Sequence, residues 1–128
     1  MLLNLQTSPG EFLDRLTILE IKSERIADPA KLANVRRELE LLRATWAASP
    51  LAARDVSALL AGLRAANEAL WEVEDRLRAC EAGRRFDAEF VELARTVYRT
   101  NDRRAAIKRQ LNLQLGSDLL EEKSYTPY

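Results

Sequence analysis

Histidine is absent from this 128-residue chain. Its absence removes the commonest general base and the commonest zinc ligand together. Cysteine is nearly absent as well. A single residue, Cys80, cannot close an internal disulfide, so a reducing cytoplasm is the expected setting. With no histidine to activate its thiol, Cys80 is expected to be inert. Four glycines and four prolines are too few for the turns of a β-rich fold. Neither sign of charge is in surplus: twenty Lys and Arg balance twenty Asp and Glu. A general nucleic-acid binder needs excess positive charge to neutralise phosphates. The pairs Arg36-Arg37, Arg84-Arg85 and Arg103-Arg104 each have acidic neighbours, so no nucleic-acid partner is expected. No stretch approaches the roughly 18 apolar residues of a membrane span, and Met1–Leu5 lacks the positive region of a signal peptide.

What the chain does have is hydrophobic residues, 47% of the total, enough for a packed interior. Leu and Ala, both strong helix formers, dominate them. A chain of this length suits one domain spanning residues 1–128. Ser8-Pro9-Gly10-Glu11 reads as a capping box, with Ser8 at the N-cap and Pro9 at the first helical position. The first helix is expected to run to about Ala27, where Asp28-Pro29 stops it and caps the next. The second runs from about Pro29 to Ala48, with Leu32, Val35, Leu39, Leu42 and Trp46 as its seam. The third runs from about Asp55 to Ala82, with Gly83 as the residue past its end. The fourth is capped by Asp87 and ends at Leu115, before Gly116. The expected fold is an all-α antiparallel bundle of about four helices, dominated by a long hairpin of the third and fourth. Residues 117–128 form a polar C-terminal tail, for which a short pairing with residues 2–6 is one possibility.

Winding the two long helices at about 100° per residue exposes a conflict. The apolar stripe of the third is Val56, Leu59, Leu60, Leu63, Leu70 and Leu77, and Asn67 and Glu74 fall inside it. The stripe of the fourth is Phe90, Leu93, Val97, Leu111 and Leu115, and it encloses Asn101, Arg104, Lys108 and Asn112. Buried charges must find partners or water, because burying one alone costs several kcal/mol. Two readings follow. One is an internal network, Glu74 with Arg104 or Lys108, that fixes helix register. The other is a cavity in which Arg104 and Lys108 grip the carboxylate or phosphate of a small anionic ligand.

The first helix has two apolar sides. Phe12, Leu16, Leu19 and Ile26 form one; Ile18 and Ile21 lie opposite, beside Asp14 and Arg25. Such a helix is either central in its bundle or buried again in a homodimer through Ile18 and Ile21. Glu20 and Glu24 flank the main side and are expected to be solvated or ion-paired. Glu68, Glu72 and Asp75 of the third helix alternate with Arg64 and Arg76 on an exposed face. No metal centre or cofactor is therefore expected.

Four segments carry a resemblance: SPGEFLD continuing into ILEIK (residues 8–22), NEALW (67–71), YRTNDRR (98–104) with Lys108, and EEKSY (121–125). Together they resemble a family of short bacterial proteins of unknown function, over nearly the whole chain. The resemblance implies a bacterial, cytoplasmic protein and assigns no activity. By architecture alone two enzyme classes compare. All-helical chorismate mutases hold a dicarboxylate among Arg, Lys and Glu inside a bundle, and all-α nucleotide pyrophosphatases hold magnesium on paired acidic motifs. The expected function is a non-catalytic module that binds a partner protein or a small anionic ligand; the alternative is a small enzyme acting on an anionic metabolite.

Overall fold

The computed structural model describes all residues, Met1–Tyr128, and contains no strand. Helix α1 spans Pro9–Arg25, α2 Pro29–Ala48, α3 Ser57–Ala82 and α4 Ala88–Gln114, with a 3-10 turn over Pro50–Ala53. The expected boundaries hold to within about two residues, because each is set by local chemistry. The Ser8 hydroxyl accepts from the Glu11 N–H at 3.2 Å, and the Asp28 carboxylate accepts from that of Lys31 at 3.0 Å. Asp87 does the same for Phe90 at 3.2 Å. Gly116, with φ +67°, takes the left-handed position past α4. At the end of α3 that position falls to Arg84 (φ +50°) and not to Gly83, which still closes the helix.

The α3–α4 hairpin is the largest packing interface, and α1 is the hub that also meets α2, α3 and α4. Leu13, Leu16 and Leu19 join Leu39, Val56, Leu63, Leu111 and Leu115 in the main core. A smaller cluster of Val73, Cys80 and Leu93 holds the far half of the hairpin. On the second apolar side of α1, Ile21 is 2% exposed and Ile18 is half-buried. The seam on that side is Gly10, Asp14, Thr17 and Ile21, spaced four, three and four, and all four are buried. Gly10 lets α1 and α4 touch. A Cβ there would lie 2.5 Å from the Lys108 carbonyl oxygen and 2.8 Å from Asn112 Oδ1.

Two expectations are corrected. Glu74 does not point inward; its side chain is 52% exposed and pairs with Arg78 at 3.7 Å. The α3 seam runs through Val73 and Cys80, a heptad apart, which rotates Glu74 about 100° out of the interface. The tail does not pair with residues 2–6. It lies back on α4, where Glu121 meets Lys108 at 3.1 Å and Glu122 meets Arg109 at 3.2 Å, while Leu2, Leu3 and Leu5 remain exposed. Acids find bases there, whereas the N-terminal leucines offer the tail no charge to neutralise.

Candidate functional site

Asp14 is the centre of the polar interior. It sits on α1, 1% exposed, facing the α3–α4 hairpin. Arg104 of α4 grips it in bidentate fashion, with Nε donating to Oδ1 at 2.8 Å and Nη2 donating to Oδ2. Asn67 of α3 donates through Nδ2 to Asp14 Oδ1 and to Thr17 Oγ1, both at 2.9 Å. The Thr17 hydroxyl donates in turn to the Asp14 carbonyl at 2.8 Å. One buried carboxylate therefore ties three helices together.

Lys108, one turn along α4 from Arg104, extends the network outward. Its ammonium donates to Glu11 at 2.5 Å and to Glu121 at 3.1 Å, and lies 3.9 Å from Asp14 Oδ2. Glu11 is thus drawn away from the reciprocal half of the capping box while Ser8 keeps its own half. Asn112 caps the inner end, its Oδ1 accepting from the buried Gly10 N–H at 2.7 Å. Asn101 is half-buried and receives only a long 3.4 Å bond from Arg104 Nη1. Five of the six residues singled out from sequence therefore do lie along one polar seam, and Glu74 lies outside it. Asp14, Thr17 and Glu11 were missed as members. The signal for the first two was present in the spacing of Gly10, Asp14, Thr17 and Ile21, which is a helical seam carrying two polar residues.

The electrostatics follow from this arrangement. Its bonds to the Asp14 carboxylate raise the Arg104 guanidinium above its ordinary value, against the opposing effect of burial. Burial pulls the Lys108 ammonium down, but its bonds to Glu11 and Glu121 outweigh that and leave it raised. The bond from Lys108 holds the Glu121 carboxyl below its usual range. Two cations face three carboxylates, and no buried side-chain nitrogen or oxygen lacks a partner. On the outer face of α1 and α3, Arg64 collects Glu20, Glu24 and Glu68, so these acids are ion-paired.

Arg104 lines open space on two sides. On one side lies a cleft of about 350 Å³ between α1 and α3, walled by Ile18, Ile21, Leu70 and Trp71, with Asn67 and Arg104 at its base and Glu74 and Arg78 on its rim. On the other side, a larger cleft of about 930 Å³ separates α4 from the tail, over Tyr98, Asn101 and Arg104. Lys108 and Asn112 line a third, smaller recess of about 230 Å³ that Glu121 and Glu122 wall from the tail side. The predicted site residues are thus divided among three openings.

The tail spans these openings with little apolar support. Leu119, Tyr125 and Tyr128 are 51%, 77% and 80% exposed. Its anchors are the two ion pairs, a hydrogen bond from the Tyr128 hydroxyl to Asp102, and an edge contact between the Tyr98 and Tyr128 rings at 5.1 Å. Exposed pairs contribute about 0.2–1 kcal/mol each. Ordering one residue of backbone costs about 1–2 kcal/mol.

No curated protein and no solved structure matches the chain. One family profile does, over residues 3–128. Its extent covers nearly the whole chain, and the chain belongs to this family of unknown function, DUF6165.

Proposed function

We propose that this protein is a non-catalytic binding module whose cleft between α1 and α3 takes a small ligand with an apolar body and one anionic group. One observation carries the reading: apolar walls of Ile18, Ile21, Leu70 and Trp71 converge on Arg104, a cation already fixed in place. Asp14 holds Nε and Nη2, which orients the guanidinium, while Nη1 keeps only its long bond to Asn101. An arginine held in this way loses little side-chain entropy when it meets a carboxylate or phosphate. At the rim Arg78 pairs with Glu74, and Asp75 lies beside them, so Arg104 is the anion-binding group of the cleft. The cleft volume lies at the lower end of the range of small-molecule sites.

The rest of the interior supports a scaffold and not a reaction centre. Lys108, Asn67 and Asn112 are each consumed by partners within the chain. Glu74, the acid that a chorismate-mutase-like arrangement would place beside the bases, stands at the cleft rim and is mostly exposed.

Trp71 provides the test. Trp46→Phe leaves it as the only tryptophan, and its emission is titrated with octanoate, phenylacetate and inorganic phosphate. Octanoate and phenylacetate are expected to change the emission saturably and to raise the melting temperature by mass action. Trp71→Ala should abolish the stabilisation. If neither carboxylate perturbs Trp71 or the melting temperature at millimolar concentration, the cleft is not this site.

A further inference from the structure

The polar anchors of the tail are unevenly placed. Glu121 and Glu122 fasten one end to Lys108 and Arg109, and Tyr128 fastens the other to Asp102 and Tyr98. Between these feet the chain from Lys123 to Pro127 stands off α4. The space beneath it is the cleft of about 930 Å³, floored by Tyr98, Asn101 and Arg104. This is an arch held at both ends over an open volume, and nothing apolar fills it.

Physical chemistry makes such an arch unstable when empty. Its ion pairs are exposed to water and to salt, with the single exception of the Lys108 ammonium. Twelve residues, Ser117–Tyr128, must be ordered to form it. Exposed pairs of this kind do not offset the loss of that much chain entropy. An occupant that touches both floor and roof would supply the missing contacts, and the lining says what kind. Tyr98, Tyr125 and Tyr128 offer ring faces and edges, Arg104 and Lys123 offer cationic donors, and Asp102, the one acid of the lining, is engaged by the Tyr128 hydroxyl.

We propose that residues 117–128 are a strap that closes over an anion bearing an aromatic ring, held between Arg104 and the tyrosines of α4 and the strap, and that the strap opens when this ligand leaves. The site is distinct from the Trp71 cleft, although Arg104 stands between the two. The ring supplies stacking area to the tyrosines. The anion meets Arg104 and Lys123 and relieves the latter of its pairing with Glu121, which lies 3.2 Å away. A carboxylate and a phosphate satisfy the same donors, so the shared chemistry is that of an aromatic anion.

Lys123 makes the strap directly readable, because trypsin cuts after it only when the segment is free. The full chain is digested briefly and the release of Ser124–Tyr128 is followed by mass spectrometry. Four probes are compared: indole-3-acetate and adenosine monophosphate, which carry rings, and acetate and inorganic phosphate, which do not. The free chain is expected to lose the peptide rapidly, and at least one ring-bearing probe to slow that loss about tenfold. The two ring-bearing arms separate a carboxylate ligand from a phosphate ligand. Tyr98→Ala, at an exposed position, should remove the protection while leaving the melting temperature of the free chain unchanged. Trp71→Ala should leave the protection intact, which separates this site from the cleft between α1 and α3. The proposal is overturned if the free chain is already as resistant at Lys123 as inside α4. It is equally overturned if no ring-bearing probe slows the cut, or if the ringless anions slow it as much.

Discussion

The strongest consequence of the structure is that Asp14, and not Glu74, carries the interior charge. Asp14→Asn keeps the size of the side chain and removes the charge that Arg104 and Lys108 face. Asp14 is 1% exposed, so water does not replace what is lost. Breaking a buried pair by removing one partner costs about 3–5 kcal/mol. The Arg104 side chain is 26% exposed and keeps some access to solvent, which places the expected loss near the lower end, about 3 kcal/mol. In urea, with a slope of about 2 kcal/mol per molar for a domain of this size, that loss moves the unfolding midpoint down by about 1.5 M. Glu74→Gln should change it by less than about 0.5 kcal/mol, because its pair with Arg78 is exposed on both sides. A cycle of Asp14→Asn with Arg104→Met should show that the second change costs much less once the first is made. A midpoint that hardly moves for Asp14→Asn, or one that moves further for Glu74→Gln, would refute the assignment of Asp14 as the hub.

Two further outcomes test the packing and the tail. Gly10→Ala should destabilise the fold by about 1–3 kcal/mol, because the added methyl meets backbone at Lys108 and the Asn112 amide, and α1 and α4 must separate; chemical denaturation reads this, and an unchanged midpoint would mean the helices are not in contact there. The attachment of the tail should depend on pH at both extremes. The folded Glu121 carboxyl lies below its unfolded value of 4.5, so its contribution is present above that pH and is lost as pH falls through the folded value. The folded Lys108 ammonium lies above its unfolded value of 10.5, so its contribution is complete below that pH and is lost as pH rises through the folded value. In the closed strap, backbone carbonyl resonances of residues 117–123 should therefore stay constant between about pH 5 and pH 10, and a transition near neutrality would contradict the pairing.

Much of the fold was legible in the residues because helix ends are local affairs. Ser8 and Pro9, Asp28 and Pro29, and Asp87 act within three or four positions of themselves, and each sits where a helix begins. The Pro50–Ala53 turn opens on a Ser-Pro pair as α1 does, but no apolar period follows to mark a helix there, and the left-handed Arg84 carries no glycine to signal it. The polar seam of α4 was also readable: Arg104, Lys108 and Asn112 recur at four-residue steps between apolar positions, and all three meet α1.

What periodicity leaves undetermined is rotation. A shift of one position turns a side chain by about 100°, and the choice between Val73 and Glu74 as the inward residue is a choice of that size. Leu70 and Leu77 flank both, so the α3 pattern alone does not decide between them; packing of Val73 and Cys80 in one cluster with Leu93 does. Partner identity is likewise beyond local reach. Asp14 and Arg104 are 90 positions apart, and Gly10 and Asn112 are 102 apart. Sequence showed that inward bases needed an anionic partner or water, because an unpaired buried charge is too costly to keep. Only the tertiary structure selected which one, since that depends on how closely Gly10 lets α1 approach α4.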